Sequence, residues 1–172
     1  NAFDAAVAAV FTSMTSEFAL TGVGGGGAMM ISKEGTTPII YDFFVDTPPH
    51  KNKELDFFDV QVDFGESKQA FHIGKGSVAV PGTLLGLVTI QEQYGSLPLS
   101  MVLEPAINIA EMGSILNTKQ AYIFQLLEPI FSYTNLGKDL FYKNGKILTS
   151  GDCFKNIDFA RFLEQVSKEG AS

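Results

Sequence analysis

Between Ala2 and Phe11, apolar residues fall on nearly every helical face (Ala2, Phe3, Ala5, Ala6, Val7, Ala8, Ala9, Val10, Phe11). That pattern predicts a helix buried all round rather than an amphipathic surface helix. Asp4 falls in its first turn, where a negative charge suits the helix dipole, and it reads as structural. Glycines follow at 22 and 24–27. Residues 28–32 and 38–45 then read as two strands joined by a polar 33–37 connection that contains Gly35. Residues 46–53 hold Pro48 and Pro49 and read as loop. Over 55–65, Phe and Val mix with Asp and Glu in no clean period, so 51–79 is expected to be irregular.

From Val80 the period becomes helical. Pro81 suits a first turn and Gly95 a stop, so the first of these helices lies between them. A second spans about 99–112, with Leu103, Ala106, Ile107 and Ala110 on one face, a kink expected at Pro105, and Gly113 as the stop. Asn117 or Thr118 caps a third, ended by Pro129. In LFYKNGKIL, Asn144-Gly145 predicts a hairpin with a type I′ turn near 140–148. Residues 156–168 form an amphipathic closing helix with Ile157, Ala160, Leu163 and Val166 inward and Gly170 as the stop. The expected organisation is α/β of the α+β kind in a single domain: a helix plus core strands over 1–50, an irregular region over 51–79, and a mainly helical region over 80–172.

The composition, 45% hydrophobic and 18% charged over 172 residues, suits one compact domain. The chain begins at Asn1, already inside an apolar run, where domain boundaries seldom fall, so it reads as a piece of a longer protein. A formal charge of -7 with no basic cluster offers nothing to neutralise a phosphate backbone, and no nucleic-acid partner is expected. Arg161, the sole arginine, lies in the last helix pattern. A clamp for a substrate carboxylate elsewhere would therefore need lysine or backbone N–H groups.

Cys153 is the only cysteine and reads as an idle thiol. Two histidines and one cysteine stand at no ligand spacing, so neither a metal nor a cofactor is expected. No uninterrupted apolar run reaches the roughly 18–20 residues that cross a bilayer. The 2–11 run lacks the basic lead of a signal peptide, and localisation stays open between periplasm and cytoplasm.

Gly22, Gly24 and Gly27 satisfy G-x-G-x-x-G, but a dinucleotide fingerprint needs a strand before the glycines and a helix after them. Here the order is reversed. The glycines then either let a helix turn tightly into a strand or clear space for a substrate or another backbone, and both readings stand.

His72 in AFHIGKGS has Lys75 and Ser77 nearby, offering a base, a cation and a hydroxyl within six residues. The competing reading is a satisfied or surface histidine. His50, after two prolines, reads as solvated. Asp42, Asp46, Asp56, Asp59, Asp63 and Glu66 are interspersed acids that read as solvated rather than as a catalytic pair. No hydroxyl or thiol is set up as a nucleophile.

NAFDAAVAA, GVGGGGAMMI, VAVPGTLLGL, YGSLPLSMVLEPAINIAEMG and DFARFLEQVSKEGA, in this order through essentially the whole chain, resemble landmarks of the γ-glutamyltranspeptidase family. The resemblance implies part of the αββα sandwich of N-terminal-nucleophile hydrolases. It also implies a precursor that cleaves itself to expose a threonine whose own α-amino group serves as base. The chain would be the early part of the large subunit, inactive alone. Its partners would be the remainder of that subunit, the small catalytic subunit and a small-molecule amide.

One departure stands out. After the second strand the family carries D-x-R-E-x-A-P, whose arginine pairs with the α-carboxylate of the glutamyl group. Aligned on Pro48, Asp42 matches the aspartate, while Phe44 replaces the arginine, Val45 the glutamate and Thr47 the alanine. The candidate substrate-binding residues are Phe44 and Asp42, with His72 and Lys75 as substitute polar contacts. The alternative is a non-catalytic scaffold or binding protein descended from the family. Folded alone, the chain is expected to expose its apolar faces or to self-associate over them.

Overall fold

The computed structural model describes residues 1–50 and 54–170. Helix α1 (Ala2–Ser16) starts in a capping box. The Asn1 side chain accepts from the N–H groups of Phe3 and Asp4 at 2.9 and 3.1 Å, and the Asp4 carboxylate reaches back to the Asn1 nitrogen at 3.0 Å. Val7, Phe11 and Met14 are buried, whereas Ala5 and Ala9 on the far side are exposed. Within this chain the helix is thus covered on one face rather than all round.

Strands β1 (Ala28–Ile31) and β2 (Ile39–Asp42) pair antiparallel, from Ala28 opposite Asp42 to Ile31 opposite Ile39. Gly35 in the connection has φ 75°, the left-handed conformation expected of a turn glycine. The second strand ends three residues before Val45, although Phe43 and Gly27 exchange two further backbone bonds of 2.9 and 3.3 Å.

Residues 51–79, expected to be irregular, instead carry a regular antiparallel hairpin of β3 (Phe58–Asp63) and β4 (Lys68–Ile73). The alternation of Val60 and Val62 with Asp59, Gln61 and Asp63 is present, but the aromatic residues just before it blur its period. The turn is set by Gly65 at φ 88°, whose N–H donates to Asp63 Oδ1 at 2.8 Å.

The helical region begins with α2 (Thr83–Tyr94), where Gly82 is the N-cap and Pro81 lies just outside. It continues through α3 (Leu99–Met112), β5 (Ser114–Ile115) and α4 (Thr118–Leu126), the last capped by Asn117. Helix α4 stops at its C-cap Leu127, as expected ahead of Pro129. Pro129 itself sits in the first turn of the short α5 (Glu128–Phe131), where its missing N–H leaves no bond unmade.

Helix α6 (Asn135–Phe141), which the sequence pattern did not reveal, precedes the hairpin of β6 (Tyr142–Lys143) and β7 (Lys146–Ile147). Asn144 and Gly145 have φ 53° and 75°, both positive as a type I′ turn requires. Strand β8 (Cys153–Phe154) pairs with β5, and α7 (Ile157–Glu169) closes the chain with Ala160, Leu163 and Val166 buried but Ile157 exposed. Helices and antiparallel strand pairs together give the α+β class that was expected.

The chain divides into two compact units. The first comprises Asn1–Pro49, Ala79–Glu111 and Ile157–Ser172. Its core joins Val7, Phe11 and Met14 of α1 to Leu87 and Val88 of α2, Val102, Leu103 and Ala106 of α3, and Leu163 and Val166 of α7. The second comprises His50–Val78 and Met112–Asn156, and is centred on Phe124, Phe131, Phe141 and Phe154. No helix among the described residues is long and apolar enough to cross a membrane.

Asp4 holds the first unit together by hydrogen bonds rather than by the helix dipole alone. Its carboxylate is 3% exposed and accepts from the Ser96 N–H (3.0 and 3.1 Å), the Ser96 hydroxyl (2.8 Å), the Leu97 N–H (3.4 Å) and Gln91 Nε2 (3.3 Å). Burial alone would raise its pKa, but the Ser96 backbone and hydroxyl bonds, with those from Asn1 and Gln91, outweigh it and hold the pKa well below the ordinary 3.8.

A depressed folded pKa means that the stabilisation is fully present above the unfolded value and drains away as pH falls through the folded one. Asp4→Asn in the full-length protein is therefore expected to lower the melting temperature by a constant amount at neutral pH. The gap to wild type should narrow progressively below about pH 4. Thermal melts from pH 7 to 3 check this, and a gap unchanged across that range would refute it.

Candidate functional site

The segment that follows β2 is gripped by glycines on two sides. A Cβ on Gly26 would stand 2.7 and 2.8 Å from Phe44 C and Cα, and one on Gly82 would stand 2.8 Å from Phe43 C and 3.1 Å from Phe44 O. Real Cβ atoms do not approach backbone this closely, so only glycine fits either position. None of Gly22, Gly24, Gly25, Gly26 and Gly27 has a positive φ. The demand at Gly26 is for space, and what fills the space is this chain's own backbone. Of the two readings of the glycine run, close backbone approach is the one Gly26 realises, whereas Gly22 and Gly24 face open space.

Backbone bonds stitch the same segment to the entry of α2. Asp46 and Val80 exchange N–H···O bonds of 3.0 and 2.8 Å, and the Thr83 N–H donates to Gly25 O at 3.4 Å. Within this frame Asp42 Oδ1 accepts the Phe44 N–H at 3.0 Å, which fixes the turn out of the strand. The Phe44 side chain is 70% exposed. The structure thus brings Asp42 and Phe44 together, with the carboxylate spent on backbone and the phenyl ring facing outward.

His72 and Lys75 lie in the second unit. His72 is exposed on β4 and stacks on Phe57, with ring centroids 4.9 Å apart at 13°. Lys75 lies in a helical turn after β4, where its backbone N–H donates to Asp56 Oδ1 at 3.1 Å. The two residues share no partner in these contacts.

The group that the sequence did not reveal is Asp56. Read as a solvated acid, it is half-buried and also accepts the Tyr133 hydroxyl at 2.9 Å, while its carbonyl accepts the Gly76 N–H at 2.8 Å. The Tyr133 bond, then the Lys75 N–H, holds the Asp56 pKa below its ordinary value, and the Asp56 bond raises that of the Tyr133 phenol. Asp56, Lys75, Ser77, Tyr133 and Thr134 line a cavity of about 740 Å³, and His72 is not among its lining residues. Tyr133 is 77 residues from Asp56, so no local pattern announces the pair. Phe43, whose ring meets Gly27 and Gly86, likewise carries no local signal beyond that of a strand residue.

A family model described as Gamma-glutamyltranspeptidase matches residues 1–172. The chain is 33% identical over 172 residues to the capsule biosynthesis protein CapD proenzyme of Bacillus anthracis, covering 99% of this chain and 28% of that protein. It is 33% identical over 175 residues to the glutathione hydrolase proenzyme of Escherichia coli (strain K12), covering 99% and 29%. Among solved structures, the gamma-glutamyltranspeptidase of Helicobacter pylori is similar with a TM-score of 0.83 at 30% identity, over 99% of this chain and 48% of that one. The chain spans less than a third of the length of these two curated relatives.

Proposed function

Since the chain belongs to the γ-glutamyltranspeptidase family, we propose that it is the early large-subunit part of an enzyme that transfers or hydrolyses γ-glutamyl or other acyl amides. The nucleophile would be an N-terminal threonine outside these residues, activated by its own α-amino group. The match over residues 1–172, in family order, carries this reading. The chain's own contribution is part of the acyl pocket, at Phe44, with Asp42 fixing the backbone there. His72 and Lys75 would supply substitute polar contacts to the substrate.

Phe44 shifts the expected substrate. A phenyl ring cannot form the bidentate pair that a guanidinium makes with a carboxylate, so the favoured acyl group lacks the glutamyl α-carboxylate. The same residue is the observation that favours the second reading, a non-catalytic scaffold that has lost its clamp.

Full-length protein separates the two readings. It is expected to split into two chains, the smaller beginning with threonine, and a threonine-to-alanine variant at that junction should stay uncut. The processed protein is expected to release anilide from apolar acyl-anilides faster than from γ-glutamyl-anilide. A full-length protein with no such threonine and no cleavage would overturn the catalytic reading in favour of the scaffold.

A further inference from the structure

We propose that Phe43 is a positioning residue for the acyl pocket, its ring seated against Gly27 and Gly86 and its backbone against Gly82, so that Phe44 is held at a fixed place and direction. This rests on the reading of Phe44 as a pocket residue. The seat is built from two distant stretches of sequence. A Cβ on Gly27 would stand 3.1 Å from Phe43 Cε2, and one on Gly86 would stand 2.5 and 2.6 Å from Phe43 Cδ1 and Cβ. Gly82 is closed to a side chain by the Phe43 backbone itself.

Gly86 lies inside α2, where glycine is disfavoured relative to alanine. The helix carries it where a side chain would strike Phe43. Phe43 in turn packs against the core formed by α1, α2, α3 and α7. Successive side chains of extended backbone point to opposite sides. A Phe43 anchored inward therefore directs Phe44 outward, and the contacts of Gly26 and Gly82 with backbone atoms leave it little freedom to shift. The core thereby sets the position of an exposed residue.

The test uses full-length, self-processed enzyme with an apolar acyl-anilide as substrate. Phe43→Ala is expected to raise KM about tenfold while kcat, normalised to titrated active sites, stays within about twofold, because the pocket is displaced and the reacting groups are not. Phe43→Met, unbranched and able to fill irregular space, should recover most of that loss. A merely structural role would lower the yield of processed enzyme and leave KM per active site unchanged. That outcome overturns the proposal.

If Phe43→Ala fails to self-process, Gly86→Ala, which crowds the ring instead of deleting it, takes its place. A processed Gly86→Ala enzyme with wild-type KM also overturns the proposal. Phe44→Ala keeps the two ideas apart. If it raises KM while Phe43→Ala does not, the pocket reading stands and the positioning role falls. If neither changes KM, or the parent turns over no acyl-anilide, both fall.

Discussion

Replacing Phe124 with alanine is expected to destabilise the second unit by about 3–5 kcal/mol, among the largest single-residue losses a core gives. Phe124 is 0% exposed and meets three rings nearly edge-on: Phe131 and Phe141 at 5.5 Å and Phe154 at 6.3 Å. Each such pair adds about 0.5–1.5 kcal/mol beyond the area buried, so truncation removes the side chain's own burial and three oriented contacts at once. The rings come from α4, α5, α6 and β8, and Phe131 and Phe141 stack on each other at 4.2 Å. Movement of α5, α6 or β8 into the vacated space would disturb the Phe131–Phe141 or Phe141–Phe154 stack.

Phe124→Leu keeps most of the volume and should cost less than about 1.5 kcal/mol plus the lost ring pairs. Urea unfolding of the full-length protein measures both variants. A loss below about 1 kcal/mol for alanine would show that the rings do not centre this unit.

How far the sequence carries depends on the range over which each signal acts. The turn at Asn144-Gly145, the cap at Asn117 and the stop at Gly113 are decided within a few residues, and each stands where its residues place it. The α1 capping box is equally local. By contrast, α6 contains Gly137 and Asn135 and shows little apolar period, so its existence depends on the packing of Phe141 against the ring cluster. Pro129 is a local signal too: α4 stops at Leu127 ahead of it, and it is accommodated in the first turn of α5, where no N–H is needed.

At the candidate site, the position of Phe44 after β2 was legible from Asp42 and Pro48, but the grip on it was not. Gly26, Gly82 and Gly86 are informative only when the two stretches that carry them are known to face the same segment, and no single stretch says so. Asp56 looked like one acid among many until Tyr133, from another part of the chain, closed on it.

Phe44→Arg is expected to lower KM for a γ-glutamyl-anilide by about fivefold, corresponding to about 1 kcal/mol, the upper end of what an exposed charge pair contributes. An exposed-pair value is the appropriate one because the residue at this position is 70% exposed, so a guanidinium there keeps part of its hydration, and bidentate geometry sets the upper end. The same exposure means that the longer side chain displaces no core residue, and the change in stability should stay within about 0.5 kcal/mol. The backbone needs no adjustment either, since Gly26, Gly82 and the Asp42 bond already fix it.

Phe44→Lys provides the charge without the planar fork and should recover only part of the gain. The gain of both variants should shrink as salt rises, because an exposed pair is screened. Turnover of apolar acyl-anilides should fall in Phe44→Arg, since the substitution replaces an apolar wall with a charge that such a substrate must desolvate without repayment. Steady-state kinetics on the two anilides at low and high salt decide the matter. If arginine and lysine both leave the γ-glutamyl KM unchanged, Phe44 does not face the acyl group, and the loss of the family's arginine has to be explained by a pocket that lies elsewhere.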